Sequence, residues 1–257
     1  MTKRVILTIA VLAVATGALL VAIRYHRLHA ALPGVWQYTQ NAKIIWVLTA
    51  NGRYMKWNTD DPLYGAEGPL KWHGVDNVDL FEQREVGGAF GTPSMQVTLE
   101  PDNVGIESLS DTELRVTIWH PHQYPPERGI RFKRLNGAKS PSSRLAGVWV
   151  SDPGVPIENR FIQSVGKQGD SGFVATAVPD SERLEFRSDG TWAFALPLSE
   201  KNPLPEGPLP VWWLEGDQLQ MFVGWPPKAY MKLPVRFEND GRVFFGGKGA
   251  YRRSSAK

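Results

Sequence analysis

Apolar positions along this chain follow one rule up to residue 23 and another after residue 30. From Val5 to Ile23 nineteen consecutive positions carry no charge, and Val, Leu, Ile and Ala fill most of them, interrupted only by Thr8, Thr16 and Gly17. At about 1.5 Å rise per residue, a helix of that length nearly crosses a hydrocarbon core of about 30 Å. Beyond residue 30 the period is two. Leu114, Val116 and Ile118 alternate with Arg115, Thr117 and Trp119, and Leu219, Met221 and Val223 alternate with Gln218, Gln220 and Phe222. Leu184 and Phe186 share a face before Asp189-Gly190, and Trp192, Phe194 and Leu196 share one after it. Val235 and Phe237 lead into Asn239-Asp240-Gly241 and then Val243-Phe244-Phe245. Alternation of this kind turns one face of an extended strand inward, and Asp-Gly between two such runs predicts a hairpin. No stretch after residue 30 keeps an apolar helical period for a full twelve residues, so long helices are not expected there.

The strand pattern is written twice. Leu32-x-Gly34-Val35-Trp36 recurs as Leu145-x-Gly147-Val148-Trp149, and a turn follows in each copy, at Asn51-Gly52 and at Asp189-Gly190. Trp72 to Phe81 and Trp213 to Phe222 match next, and the copies close on Phe132-Lys133-Arg134 and Tyr251-Arg252-Arg253. Trp149 lies 113 residues after Trp36, Gly190 lies 138 after Gly52, Trp213 lies 141 after Trp72, and Arg253 lies 119 after Arg134. The second copy therefore carries an insertion between about residues 150 and 183, and the first is longer between Phe81 and Phe132. Insertions confined to the connections between matched strands are what a shared scaffold with variable loops produces. Six or so short strands per copy predict a small antiparallel barrel or sandwich. The division is an anchor at 1–29, repeat 1 at 30–135, a polar linker at 136–144 (Asn-Gly-Ala-Lys-Ser-Pro-Ser-Ser-Arg) and repeat 2 at 145–257.

The apolar segment fits a retained membrane anchor better than a cleaved signal. A secretory core usually runs 7 to 15 residues and ends at a small-x-small site, whereas this run is longer and meets Arg24-Tyr25-His26-Arg27. Being apolar on all sides, it does not suit a half-buried helix of a soluble domain. Lys3, Arg4 and the amino terminus face Arg24 and Arg27 across it, which favours a cytoplasmic N-terminus by a margin of one charge. Everything from about residue 30 would then lie outside the cytoplasm.

Composition narrows the partners. The net charge of +3 owes its sign to the flanks of the anchor: Lys3, Arg4, Arg24 and Arg27 account for four of the 29 basic residues, and the remaining 25 face 26 acidic ones. No basic stripe is left to track a phosphate backbone, so nucleic acid is not an expected partner. There is no cysteine, which removes disulfides, thiolate zinc sites and thiol nucleophiles together and suits an oxidising compartment. Ten tryptophans, 25 glycines and 20 prolines describe a strand-and-turn protein with bulky core residues.

The L-x-G-x-W opening, the Asx-Gly hairpin and the closing aromatic-x-Arg together resemble lipocalin-like (calycin-type) domains, over about 225 residues. In that family the tryptophan sits at the closed end of the barrel and an arginine of the last strand packs across its ring. The resemblance implies that Arg134 meets Trp36 and that Arg253 meets Trp149, with Gly34 and Gly147 as the motif glycines. A guanidinium over an indole contributes about 0.5 to 2 kcal/mol.

Candidate chemistry is sparse. Gly169-Asp170-Ser171-Gly172 is similar to the nucleophile loop of chymotrypsin-like proteases, but Phe173 follows where a glycine belongs, and only His73 and Asp76 offer a base and its orienter. His120-Pro121-His122 would aim two imidazoles the same way on an extended backbone, without a third metal ligand in view, and a solvated loop is the plainer reading. Asp60-Asp61 and Asp180 with Glu182 supply loop carboxylates of the kind glycoside hydrolases pair; solvation is their ordinary role. Trp119, Trp212, Trp213 and Trp225 form the richest aromatic group and offer a ligand or partner surface, because neighbours such as Trp212 and Trp213 on one strand face opposite ways.

The expected protein is thus all-β, two tandem lipocalin-like repeats behind one transmembrane helix, anchored in a bacterial inner membrane through residues 5–23 with its bulk in the periplasm. It is expected to act as a non-enzymatic binding or assembly module, with no cofactor and no metal. Two alternatives stay open: a carrier of an apolar small molecule or lipid inside a barrel, and an anchored hydrolase. An empty apolar cavity would favour the carrier, and a core filled by Trp36, Trp57, Trp149 and Trp192 would favour protein binding.

Overall fold

A computed structural model describes residues 3–87, 93–97, 100–137, 140–153, 155, 183–195, 210–223 and 229–254. The apolar segment is a helix, α1 (Lys3–Ala31), that runs on past the charged flank. The span Thr8–Ala31 is long and apolar enough to cross a membrane, and none of it is buried within the protein. Side chains such as Val14 and Leu20 stay exposed. That rules out the core helix of a soluble domain, which would cover such a surface.

Repeat 1 comprises β1 (Gly34–Tyr38), β2 (Ile44–Leu48), β3 (Arg53–Asn58), β4 (Asp61–Trp72), β5 (Asn77–Leu80), β6 (Gln83–Gly87), β7 (Pro93–Val97), β8 (Asp102–Leu109), β9 (Glu113–Trp119) and β10 (Glu127–Arg134). These form one ten-stranded antiparallel sheet in the order β3-β2-β1-β10-β9-β8-β5-β4-β6-β7, and β3 also pairs with β4. That extra pairing closes eight strands into a barrel. The β6-β7 hairpin hangs from β4 through Glu67 opposite Gln83. It occupies the stretch between Phe81 and Phe132 by which the first copy exceeds the second.

Repeat 2 comprises β11 (Gly147–Ser151), β12 (Arg183–Phe186), β13 (Trp192–Ala195), β14 (Val211–Glu215), β15 (Gln218–Val223), β16 (Ala229–Phe237), β17 (Arg242–Phe245) and β18 (Lys248–Arg253). Its eight-stranded sheet has the order β13-β12-β11-β18-β17-β16-β15-β14. The bridge between Thr191 and Val211, with Trp212 N donating to Gly190 O at 2.8 Å, joins its two ends. Each repeat therefore holds eight barrel strands where alternation alone suggested six or so. The strands it missed are those interrupted by Gly and Pro, such as β4 with Pro62, Gly65, Gly68 and Pro69.

Register shows where the sequence repeat holds and where it slips. Gly34 pairs with Leu48 as Gly147 pairs with Phe186, and Trp36 pairs with Arg134 as Trp149 pairs with Arg253. Trp72 and Trp213, however, are not equivalent. Arg53 lies opposite Pro69 and Thr191 opposite Val211, so Trp213 corresponds to Lys71 and Trp72 to Leu214. The β4-β5 turn is one residue longer than the β14-β15 turn, which preserved the nine-residue spacing while shifting the tryptophan. A slip of one position reverses the face: Trp72 packs on the interior cluster of barrel 1, and Trp213 points out of barrel 2.

Three apolar clusters result. Barrel 1 is filled by Trp36, Trp46, Leu48, Tyr54, Val116 and Phe132 among others, and barrel 2 by Trp149, Phe186, Trp192, Trp212, Phe245 and Tyr251 among others. The third lies between the barrels. Val35, Ile45, Val47 and Met55 face outward from β1 to β3, and Val211, Trp213 and Phe222 face outward from β14 and β15, all buried against one another. Gly190 at the β12-β13 turn (φ +86°) fits against Val35 so closely that a Cβ there would stand 2.2 Å from Val35 Cγ2.

The described residues of the 136–144 linker join the two repeats, with Asn136, Gly137 and Ser142 buried and Pro141, Ser143 and Arg144 exposed. The segment contains a 3-10 turn at Pro141–Arg144. Asn136 Oδ1 accepts from Val35 N at 2.8 Å, and its Nδ2 donates to Ser188 O at 2.7 Å. Ser142 Oγ donates to Leu135 O and accepts from Leu214 N, both at 2.8 Å. Polar side chains here satisfy backbone groups of both repeats, which is what burying them requires.

Candidate functional site

The two ends of barrel 1 differ in chemistry. At the closed end Trp36 is fully buried, and its Nε1 donates to Leu32 O at 2.9 Å. The guanidinium of Arg134 lies 4.6 Å from the Trp36 ring and donates to Ala31 O at 2.6 Å and to Pro33 O. Ala31 ends α1, so this arginine satisfies a carbonyl that a helix terminus leaves without an intrahelical partner. Burial lowers the Arg134 pKa, and the nearby Asp111 carboxylate opposes that shift. Gly34 has no Cβ because one would stand 2.8 Å from Arg134 Nε.

Barrel 2 repeats the arrangement. Trp149 Nε1 donates to Leu145 O at 2.7 Å, Arg253 lies 5.0 Å from the Trp149 ring, and Arg253 donates to Arg144 O at 2.8 Å. Arg144 ends the 3-10 turn as Ala31 ends α1. Gly147 is required for a different reason than Gly34, its φ of +132°, which side-chain-bearing residues rarely adopt.

The last turns of α1 belong to this closed end. Arg24 pairs with Asp76 at 2.8 Å, His29 stacks on Trp72 with ring centres 5.1 Å apart, and Leu28 packs on the interior cluster. From Thr8 to Ile23 the described side chains of α1 are exposed.

The opposite end of barrel 1 opens into a cavity of about 380 Å³. Its apolar lining is Ile44, Tyr54, Ala66 and Leu80; Lys56, Asn58, Glu82, Glu100 and Asp102 supply the polar side chains, and Pro121 lies at its edge. Tyr54, Lys56 and Asn58 alternate along β3, so one strand carries the change from apolar floor to polar rim. The Lys56 ammonium lies 5.7 Å from the Trp46 ring, and among the described residues it makes no ion pair.

The β9-β10 loop is held against this rim. His120 Nδ1 lies 2.8 Å from Asp102 Oδ1, with its Nε2 3.5 Å from Glu127 Oε1, and His122 Nε2 lies 2.7 Å from Glu100 Oε2. The two imidazoles thus engage separate carboxylates and do not converge as paired metal ligands. Among the described residues no group of three or more His, Asp or Glu side chains is placed to hold a metal.

The aromatic candidates divide. Trp212 is enclosed in barrel 2, where its Nε1 donates to Thr191 O at 3.0 Å, and Trp213 is covered by the barrel-barrel cluster. The expectation that one of them is exposed fails because the second repeat's outward face is buried by the first. Trp119 remains 41% exposed at the mouth end of β9, one side of its ring over Gly105, where a Cβ would stand 2.7 Å away. Trp225 lies outside the described residues, as do Gly169 to Gly172, Asp180 and Glu182 and the Trp57 side chain. His73 lies 3.3 Å from Asp79, Asp76 is engaged by Arg24, and Asp60 pairs with Lys43, so none of these is organised as a catalytic group among the described residues.

Pattern reading missed the mouth residues Tyr54, Lys56, Glu82, Glu100 and Asp102. Lys56 and Asn58 alternate with the apolar Met55 and Trp57, a pattern that by itself turns them outward. Compared with protein-family models, with curated proteins and with solved structures, the chain matches none.

Proposed function

We propose that the chain is a single-pass bacterial envelope protein, held in the inner membrane through residues 5–23, whose two lipocalin-like barrels form a non-enzymatic binding or assembly module in the periplasm. The observation that carries this reading is the docking of α1 on the closed end of barrel 1 through Arg24, Leu28, His29 and the Ala31 carbonyl. A helix gripped there turns the cavity at the other end away from the lipid, toward soluble ligands or partners. The shared apolar seam supports one recognition body, since burying Val35, Trp213 and Phe222 between the barrels resists their separation.

The carrier alternative draws on the cavity. Its wall counts against an apolar cargo, because such a molecule would strip water from Lys56, Glu100 and Asp102 without replacing their hydrogen bonds. Binding is also supported over turnover by the histidines, which hold rim carboxylates.

Location is tested by alkaline extraction of membranes and protease treatment of spheroplasts. The full-length chain is expected to stay with the membrane and to be cut in intact spheroplasts. Release as a shortened soluble protein, or protection from protease, would overturn the reading. Native mass spectrometry of the detergent-solubilised chain addresses the cargo, where a retained apolar adduct would favour the carrier.

A further inference from the structure

We propose that the mouth of barrel 1 binds an amphipathic organic cation, an ammonium or guanidinium on a short apolar stem. This inference rests on reading barrel 1 as a binding module. The cavity volume of about 380 Å³ falls within the range of small-molecule sites, and its lining has two zones. Ile44, Tyr54, Ala66 and Leu80 offer a floor for a stem, and Glu82, Glu100 and Asp102 surround the opening. Glu100 and Asp102 face one lining cation, Lys56, whose ammonium lies by the Trp46 ring and forms no ion pair among the described residues. The formal balance of Glu100, Asp102 and Lys56 is −1. Carboxylates gathered at a low-dielectric wall focus a potential that attracts positive charge.

The histidines orient this rim without consuming it. His120 engages Asp102 through Oδ1 and His122 engages Glu100 through Oε2. An ionised carboxylate has about four acceptor positions, so Asp102 Oδ2 and Glu100 Oε1 remain to accept from a ligand N–H. His120 is itself fixed from its other side by Glu127 on β10. The result is one carboxylate, Asp102, preset in direction above an apolar floor with the more exposed Glu100 beside it, and the preset group lowers the ordering cost of binding.

The test uses the full-length chain in lipid nanodiscs, with empty nanodiscs as the partition control. Hexylamine, hexanol and hexanoate are compared by saturation-transfer NMR and calorimetry. Hexylamine is expected to bind about tenfold or more tighter than either of the others, the factor a single favourable charge contact supplies. Glu100→Gln with Asp102→Asn is expected to erase that preference, and Lys56→Met to strengthen hexylamine binding. The Lys56 variant keeps the test informative should the carboxylate variant fold poorly. Equal or tighter binding of hexanol or hexanoate overturns the cation assignment and leaves barrel 1 a ligand-binding module. Absence of binding by all three overturns the mouth as a small-molecule site, while the assembly reading then stands or falls on site-directed cross-linking from Trp119 and Tyr124 at the same end.

Discussion

Arg134 lies across Trp36 and at the same time donates to Ala31 O, the last carbonyl of α1. One guanidinium therefore joins the indole at the base of barrel 1 to the end of α1. Removing it with Arg134→Ala deletes a cation-π contact worth about 0.5 to 2 kcal/mol and charge-assisted hydrogen bonds worth about 1.5 to 3 kcal/mol. The expected loss is about 2 to 5 kcal/mol in urea unfolding. Arg134→Lys keeps the charge but not the fork and should recover less than half of it. Arg253→Ala should cost about 1 kcal/mol, because Arg253 is exposed and has one such bond, to Arg144 O. Equal losses at the two positions would contradict the role given to the helix end.

On the outer wall of barrel 1, Glu107 accepts from Thr117 Oγ1 at 2.5 Å and from Gly129 N at 3.2 Å and pairs with Arg115 at 2.7 Å. Its pKa is lowered, chiefly by the Thr117 hydroxyl, with burial opposing and Gly129 and Arg115 assisting. A carboxyl lowered in the folded state stabilises the fold above its unfolded pKa, and that contribution is lost as pH falls through the folded value. Thr117→Val should move the Glu107 titration upward toward an ordinary glutamate, read by carbon-detected NMR, and shift acid unfolding to higher pH. An unmoved titration would assign the shift to Arg115 instead.

How much of this was legible follows from where each signal resides. The Trp-Arg pairs were legible because both partners lie within the short motifs that carry the resemblance to lipocalin-like domains, which implied their contact, and the register confirms it. The barrel-barrel seam was hidden. Val35, Ile45, Val47 and Met55 are apolar at outward positions, which makes β2 read as a continuous apolar run without saying which neighbour covers its second face. Trp213 illustrates the consequence, since alternation correctly turned it away from Trp212, yet only the packing of the other repeat shows that it is buried. The mouth was hidden for another reason: Tyr54 lies 46 residues before Glu100 and meets the Glu100–Asp102 stretch only through barrel closure.

The buried seam between the barrels is expected to make them unfold together. Trp213→Ala removes the largest side chain of the cluster and should cost about 3 to 5 kcal/mol, the range for deleting a buried aromatic. Asn136→Ala leaves Val35 N without its acceptor, at about 1 to 3 kcal/mol. In the double variant the single thermal transition expected of the parent should split in two, followed by calorimetry. If the parent already shows two transitions, or Trp213→Ala leaves stability unchanged, the coupling is not carried by this seam.

Tyr230 borders the same seam and gives it a pH limit. Its ring stacks on Trp213 with centres 6.1 Å apart, and its hydroxyl donates to Gln220 Oε1 at 2.5 Å. Burial pushes its pKa up to about 12, and the Glu215 carboxylate adds to the rise. Because the folded state holds the phenol neutral above its unfolded value near 10, the stabilisation is complete below about pH 10 and disappears as pH climbs from 10 toward 12. Phenolate absorbance should show one tyrosine ionising last, near pH 12, and Tyr230→Phe should delete that step. Glu215→Gln should lower it while leaving the burial component in place. In the parent, barrel separation at high pH should accompany this ionisation, seen as increased Trp213 exposure by fluorescence quenching. If Tyr230 ionised near pH 10, the seam would be open to water, and Trp213 would not be covered by the first barrel.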